Sequence, residues 1–91
     1  MVTSLLVYKK AKNCPSCKTL DLLTPTLKKK FPGLEWEYEV FDEENPDTKP
    51  PAFVRSFPTI LLRDTNGDTI TTVVGYESLA KTIHTHLNGG A

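Results

Sequence analysis

The sequence predicts an α/β domain: a four-stranded mixed sheet with helices on both faces, in the order β-α-β-(α)-β-β-α. Three observations carry this. The continuously apolar run Ser4 to Tyr8 leads into an amphipathic helical pattern and then a second strand pattern, the order that builds a right-handed parallel crossover. Asn66-Gly67 separates two further strand-like runs, the strongest short-range signal for an antiparallel hairpin. A last helical pattern closes the chain. At 91 residues there is material for one domain and too little for two, so the whole of 1–91 reads as a single unit with its core over 4–87 and a tail at 88–91.

Each element has its own justification. Ser4 to Tyr8 has no polar alternation and reads as a central strand buried on both faces. From Pro15 onward, Leu20, Leu23, Leu27 and Phe31 recur at helical spacing, and Lys28, Lys29 and Lys30 suit the negative end of the helix dipole before Pro32-Gly33 stops it. Those lysines read as a solvated helix end. Pro25 falls inside the helix, removes one backbone bond and crowds the preceding turn, which predicts a kink or restart near Leu22 to Thr24. Leu34 to Phe41 alternates, with Leu34, Trp36, Tyr38 and Val40 facing a core and three glutamates facing water, as an edge strand should. Trp36 and Tyr38 read as core residues.

Asp42 to Pro51 is acidic and proline-rich and reads as loop, with a short helix expected around Ala52 to Arg55. Thr59 to Arg63 is a second buried strand and Thr69 to Val74 its antiparallel partner across Asn66-Gly67, both of whose residues tolerate positive φ. Tyr76 to Leu87 forms the last helix, with Leu79, Ile83 and Leu87 inward, fraying at Asn88-Gly89-Gly90.

Composition narrows the function. Eleven basic and eleven acidic side chains cancel, so no overall field draws the protein to nucleic acid or to an anionic membrane. The first apolar run is too short for a secretion signal, and no segment reaches the ~20 apolar residues needed to span a bilayer. The expectation is a cytoplasmic, reducing setting and a monomer, in which two cysteines do not form a permanent structural disulfide.

Those two cysteines stand in Asn13-Cys14-Pro15-Ser16-Cys17-Lys18, where a strand gives way to a helix. Pro15 suits the first helical position, so the unpaired N–H groups of the first turn face Cys14 and favour its thiolate. Any of Lys9, Lys10, Lys12 and Lys18 that approaches the sulfur adds to this. Cys17 comes one turn later, close enough for a disulfide and shielded by its own helix. The roles then separate: Cys14 attacks a substrate disulfide, and Cys17 resolves the mixed disulfide. A zinc site wants four ligands where this motif offers two, and His84 and His86, two residues apart on a helix, point in different directions, so no metal is expected. The two histidines read as helix-surface residues. Two inert core thiols would need neither a helix start nor basic neighbours.

With these residues in place the chain resembles the thioredoxin superfamily. The likeness extends from Leu5 to Leu87 through Asn45-Pro46-x-Thr48-x-Pro50, Val54-Arg55-Ser56-Phe57-Pro58-Thr59, Asn66-Gly67-Asp68 and Val74-Gly75. It implies a cis peptide bond before Pro58, lying against the cysteine pair, and a substrate groove formed by Asn13, Pro15, Ser16, Phe57, Pro58, Gly75 and Tyr76 beside Cys14. It also implies a thiol-disulfide oxidoreductase acting in electron transport without a bound cofactor, drawing electrons from a thioredoxin reductase or from glutathione. Its clients would be proteins with disulfides, a ribonucleotide reductase among them. Three features depart from thioredoxin: Cys-Pro-x-Cys and the small size look like glutaredoxin, and Tyr8 stands where thioredoxins bury an acidic residue. Gly75-Tyr76-Glu77 reproduces only part of glutaredoxin's glutathione site, although Lys12, Arg55 and the Phe57 backbone are placed to hold glutathione's carboxylates. A glutathione-dependent glutaredoxin, an iron–sulfur carrier and a redox-inactive binding module are therefore the alternatives to a reductase of protein disulfides.

Overall fold

The computed structural model describes residues 1–45 and 47–87; Pro46 and the expected fraying at 88–90 lie outside them. Six elements follow in order: β1 (Ser4–Lys10), α1 (Pro15–Lys30), β2 (Glu35–Phe41), β3 (Thr59–Arg63), β4 (Thr69–Val74) and α2 (Leu79–Leu87). They form one four-stranded sheet in the order β2-β1-β3-β4. β1 pairs in parallel with β2 and antiparallel with β3, and β3 pairs antiparallel with β4. The strand expected at the centre is there, and the alternating glutamate strand is at the edge. β1 runs two residues further than its apolar stretch, because the pairing of Lys9 with Val40 and Lys10 with Phe41 continues to the end of β2.

The register sorts the core into two layers. Leu5 stands beside Trp36 and Leu62, and Val7 beside Tyr38 and Ile60. Leu5, Val7, Ile60, Leu62 and Val73 form one cluster with Leu20 and Leu27 of α1 and Leu79 and Ile83 of α2. Both helices therefore cover the same face of the sheet. The other face carries Tyr8, Leu61 and Val54, packed by Leu6, Phe41 and Phe57. The placement of helices on both faces is corrected here: no helix forms at Ala52 to Arg55, and this second face is met by Val54 and Phe57 from non-helical backbone. A single turn closes at Val54, whose N–H donates to the Pro51 carbonyl at 2.9 Å. Tyr8 fills much of the space, with Phe41 stacked at 5.9 Å and Phe53 edge-on at 5.7 Å. Thr48 ties the loop to the end of β2: its hydroxyl accepts from the Asp42 N–H at 3.1 Å and lies 2.9 Å from the Asn45 carbonyl.

Four local readings change in the structure. α1 is one uninterrupted helix through Pro25, without a restart. Its buried face is Cys17, Leu20, Thr24 and Leu27, so Thr24 takes the place expected for Leu23, which is 39% exposed. The Thr24 hydroxyl donates to the Leu20 carbonyl at 2.7 Å, which lets a polar residue stand in the core. The hairpin uses positive φ at Gly67 alone (83°). Asp64 makes up the difference, its carboxylate accepting from the N–H groups of Asn66 and Asp68 while its carbonyl accepts from Gly67. The last helix starts at Leu79, after a turn in which the Leu79 N–H reaches the Tyr76 carbonyl at 3.2 Å.

Tyr38 sits at the rim of the core, half-exposed, stacked on Trp36 and capped by the Lys9 ammonium 5.7 Å from its ring. Burial raises its phenol above the ordinary value, and the Asp21 carboxylate raises it further, while a hydrogen bond with Thr24 works in the other direction. The folded chain thus keeps this proton to higher pH than the unfolded chain does. The associated stability is complete below the unfolded value of about 10 and is lost as pH rises through the folded one. Denaturant melts should show the wild type losing ground to Tyr38→Phe between neutral pH and pH above about 10. A difference that stays constant with pH would refute this.

Candidate functional site

The site begins where β1 ends. The Ala11 N–H still pairs with the Phe41 carbonyl at 2.8 Å, and the chain then turns through Asn13 at φ 57°. Asparagine is one of the few residues that takes this left-handed conformation at low cost, which gives a physical reason for Asn13 just before the first cysteine. The turn delivers Cys14 to the N-cap of α1, with Pro15 in the first helical turn. The Lys18 N–H donates to the Cys14 carbonyl at 3.1 Å, and the Cys17 N–H points at Cys14 Sγ at 3.2 Å. An N-cap is normally filled by a side-chain oxygen; here sulfur takes the place. In the reduced protein that N–H, together with the helix N-terminus, stabilises a thiolate over a thiol.

Cys14 and Cys17 form a disulfide, with Cα atoms 5.2 Å apart. They are not equally accessible: Cys14 is half-buried, whereas Cys17 is only 3% exposed and faces the core with Leu20. Cys14 Sγ lies 3.8 Å from the Phe57 carbonyl oxygen. The Phe57-Pro58 peptide bond is cis, as the resemblance implies, and Pro58 is fully buried at the start of β3. Its carbonyl accepts from the Gly75 N–H at 2.8 Å. Gly75 has φ 84°, and a Cβ there would meet Glu77 Oε2 at 2.6 Å. Asn13 and Pro15 are exposed and Ser16 is half-buried, all around the disulfide, while Tyr76 turns inward against the main core. The structure thus brings Phe57 to Cys14 and Gly75 to Pro58.

The lysines are arranged in a way that spacing could not reveal. Lys9 is held by both oxygens of Asp21 at 2.8 and 2.9 Å, Lys10 pairs with Glu43, and Lys12 with Glu44 at 3.3 Å. Three of the four cations near the motif are thus drawn to carboxylates, Glu43 and Glu44 coming from the loop after β2. Lys18, exposed on the first turn of α1, has no carboxylate partner among the described residues. Lys12 and Arg55 are both exposed. Among the described residues no three His, Cys, Asp or Glu side chains gather as metal ligands would, and no helix is long and apolar enough to cross a membrane.

An α/β sheet of this order, with a Cys-x-x-Cys disulfide at the first helix start and a cis proline beside it, is a thioredoxin fold. Among solved structures the chain is similar to thioredoxin 1 from the thermophilic eubacterium Thermosipho africanus, with 24% identity and a TM-score of 0.66 over 96% of this chain and 97% of that one. No family model matches the sequence, and no curated protein matches it either. The shared feature is the fold, and in this chain it carries the close pair Cys14–Cys17 at the start of α1.

Proposed function

We propose that the protein is a thiol-disulfide oxidoreductase that reduces protein disulfides by dithiol exchange through Cys14 and Cys17. The observation that carries this is the asymmetry of the pair: one sulfur is reachable and receives an N–H at a helix start, the other is buried one turn behind it. The Cys14 thiolate attacks a client disulfide, forming a Cys14–client disulfide and expelling one client thiolate. Cys17, as thiolate, attacks Cys14 Sγ, closing the Cys14–Cys17 disulfide and releasing the second client thiolate. Two electrons pass to the client, the two client thiolates take up protons, and the protein ends in the disulfide form described above. Phe57, with its carbonyl against Cys14 and the cis bond after it, offers backbone for an extended client segment to pair with.

A thioredoxin reductase is the donor favoured here over glutathione, with no bound cofactor. Gly75-Tyr76-Glu77 offers only part of the glutathione site that a glutaredoxin uses. The short chain does not argue the other way, because the structurally similar thioredoxin is matched over almost its whole length. Turnover of a protein disulfide should be supported by a thioredoxin reductase with its nicotinamide donor and be much slower with glutathione. Turnover with glutathione alone would overturn the donor assignment, and turnover with neither donor nor a small dithiol would overturn the exchange reading.

A further inference from the structure

Four of the eleven cationic side chains of a chain with no net charge gather on one side of the disulfide. Lys9, Lys10, Lys12 and Lys18 line an open depression of about 900 Å³ that has Cys14 in its wall, on the α1 and β2 side and away from Phe57 and Pro58. Asp21 contributes the one carboxylate of that lining. Lys9 is committed to it through two short contacts and is largely covered, with its side chain 20% exposed. The other three cations have no carboxylate partner among the described residues of the depression, although Lys10, at 22%, is nearly as covered as Lys9. Lys10 and Lys12 are met from outside the depression by Glu43 and Glu44, whose side chains are 74% and 77% exposed, and Lys18 meets no carboxylate among the described residues.

We propose that this depression docks carboxylate-bearing segments of client proteins, flanking the client's disulfide, and that Glu43 and Glu44 occupy its lysines while no client is bound. The inference rests on the exchange reading above. Two glutamates seated on Lys10 and Lys12 show which ligand chemistry these lysines accept. Pairs whose carboxylate is this exposed contribute about 0–1 kcal/mol each, so an incoming carboxylate competes with Glu43 and Glu44 at little cost. The remaining cation, Lys18, follows Cys17 directly and gives an approaching acidic segment a first point of attraction. Lysine rims of this kind act mainly on association, through complementary potential, and the effect weakens with salt.

Two synthetic peptides with the same internal disulfide test this, one flanked by glutamates and one by glutamines. At low ionic strength the acidic peptide should be reduced with kcat/KM roughly threefold to tenfold higher, and the gap should close near 1 M salt, where screening acts beyond about 3 Å. Glu43→Gln with Glu44→Gln should widen the gap by leaving Lys10 and Lys12 unoccupied, with little change for the neutral peptide. Equal rates for the two peptides at low salt would overturn the docking surface while leaving the exchange reading intact. An unchanged ratio in the double variant would overturn the part given to Glu43 and Glu44. Reduction of neither peptide would remove the exchange reading and the docking surface with it.

Discussion

Cys14→Ser is expected to lower the reduction of protein disulfides by about three orders of magnitude or more, because a serine hydroxyl at neutral pH cannot replace the attacking thiolate. Cys17→Ser should behave differently. Its Cys14 still receives the backbone N–H of residue 17 and still attacks, but the mixed disulfide has no internal thiolate to resolve it. The variant should therefore accumulate as a covalent adduct with its client, visible as a mass increase that a reducing agent removes. The assignment follows from accessibility, since Cys17, a residue only 3% exposed among core residues, cannot lead the attack on a folded client. If Cys14→Ser trapped the adduct and Cys17→Ser did not, the roles would be reversed. Sustained turnover of Cys17→Ser with glutathione would instead show a one-cysteine route and move the protein towards glutaredoxin chemistry.

The parts of this site that were legible in the sequence are those set by neighbours along the chain. Cys14, Pro15 and Cys17 fall within one helical turn, and a strand before them with a helical pattern after them fixes where that turn sits. β3 and β4 were equally legible: Thr59–Arg63 is one apolar run, and the turn residues after it leave one place for its partner. The features that were not legible depend on contacts across the fold. Nothing in Lys10-x-Lys12 indicates that Glu43 and Glu44 will reach back from 32 or more residues away. Nothing in Ala52 to Arg55 indicates that this stretch will meet the sheet's second face in a single turn, with Val54 buried beside Tyr8 and Leu61, and not as a helix. The left-handed Asn13 was visible only as a residue type that permits it.

The apolar register of α1 shows the same limit and leads to a stability test. At about 100° per residue, Leu23 lies about 60° to one side of Leu20 and Thr24 about 40° to the other, so a count of leucines points the helix slightly wrong. The buried set Cys17, Leu20, Thr24 and Leu27 resolves this, leaving Leu22 80% exposed. Leu22→Ala should then change stability by less than about 0.5 kcal/mol. Leu5→Ala should cost about 3 kcal/mol, because Leu5 is fully buried, is flanked by Trp36 and Leu62, and would leave a cavity that a pleated sheet cannot close. In a domain of this size that corresponds to a fall in Tm of roughly 10–20 °C. A domain stable by about 5–15 kcal/mol would still be folded at room temperature, so the loss can be measured and is not merely inferred from failed expression. Equal melting temperatures for the two variants would mean that the layer between sheet and helices is not the core of this molecule. The position of α1, and with it the presentation of Cys14 at the helix start, would then need another support.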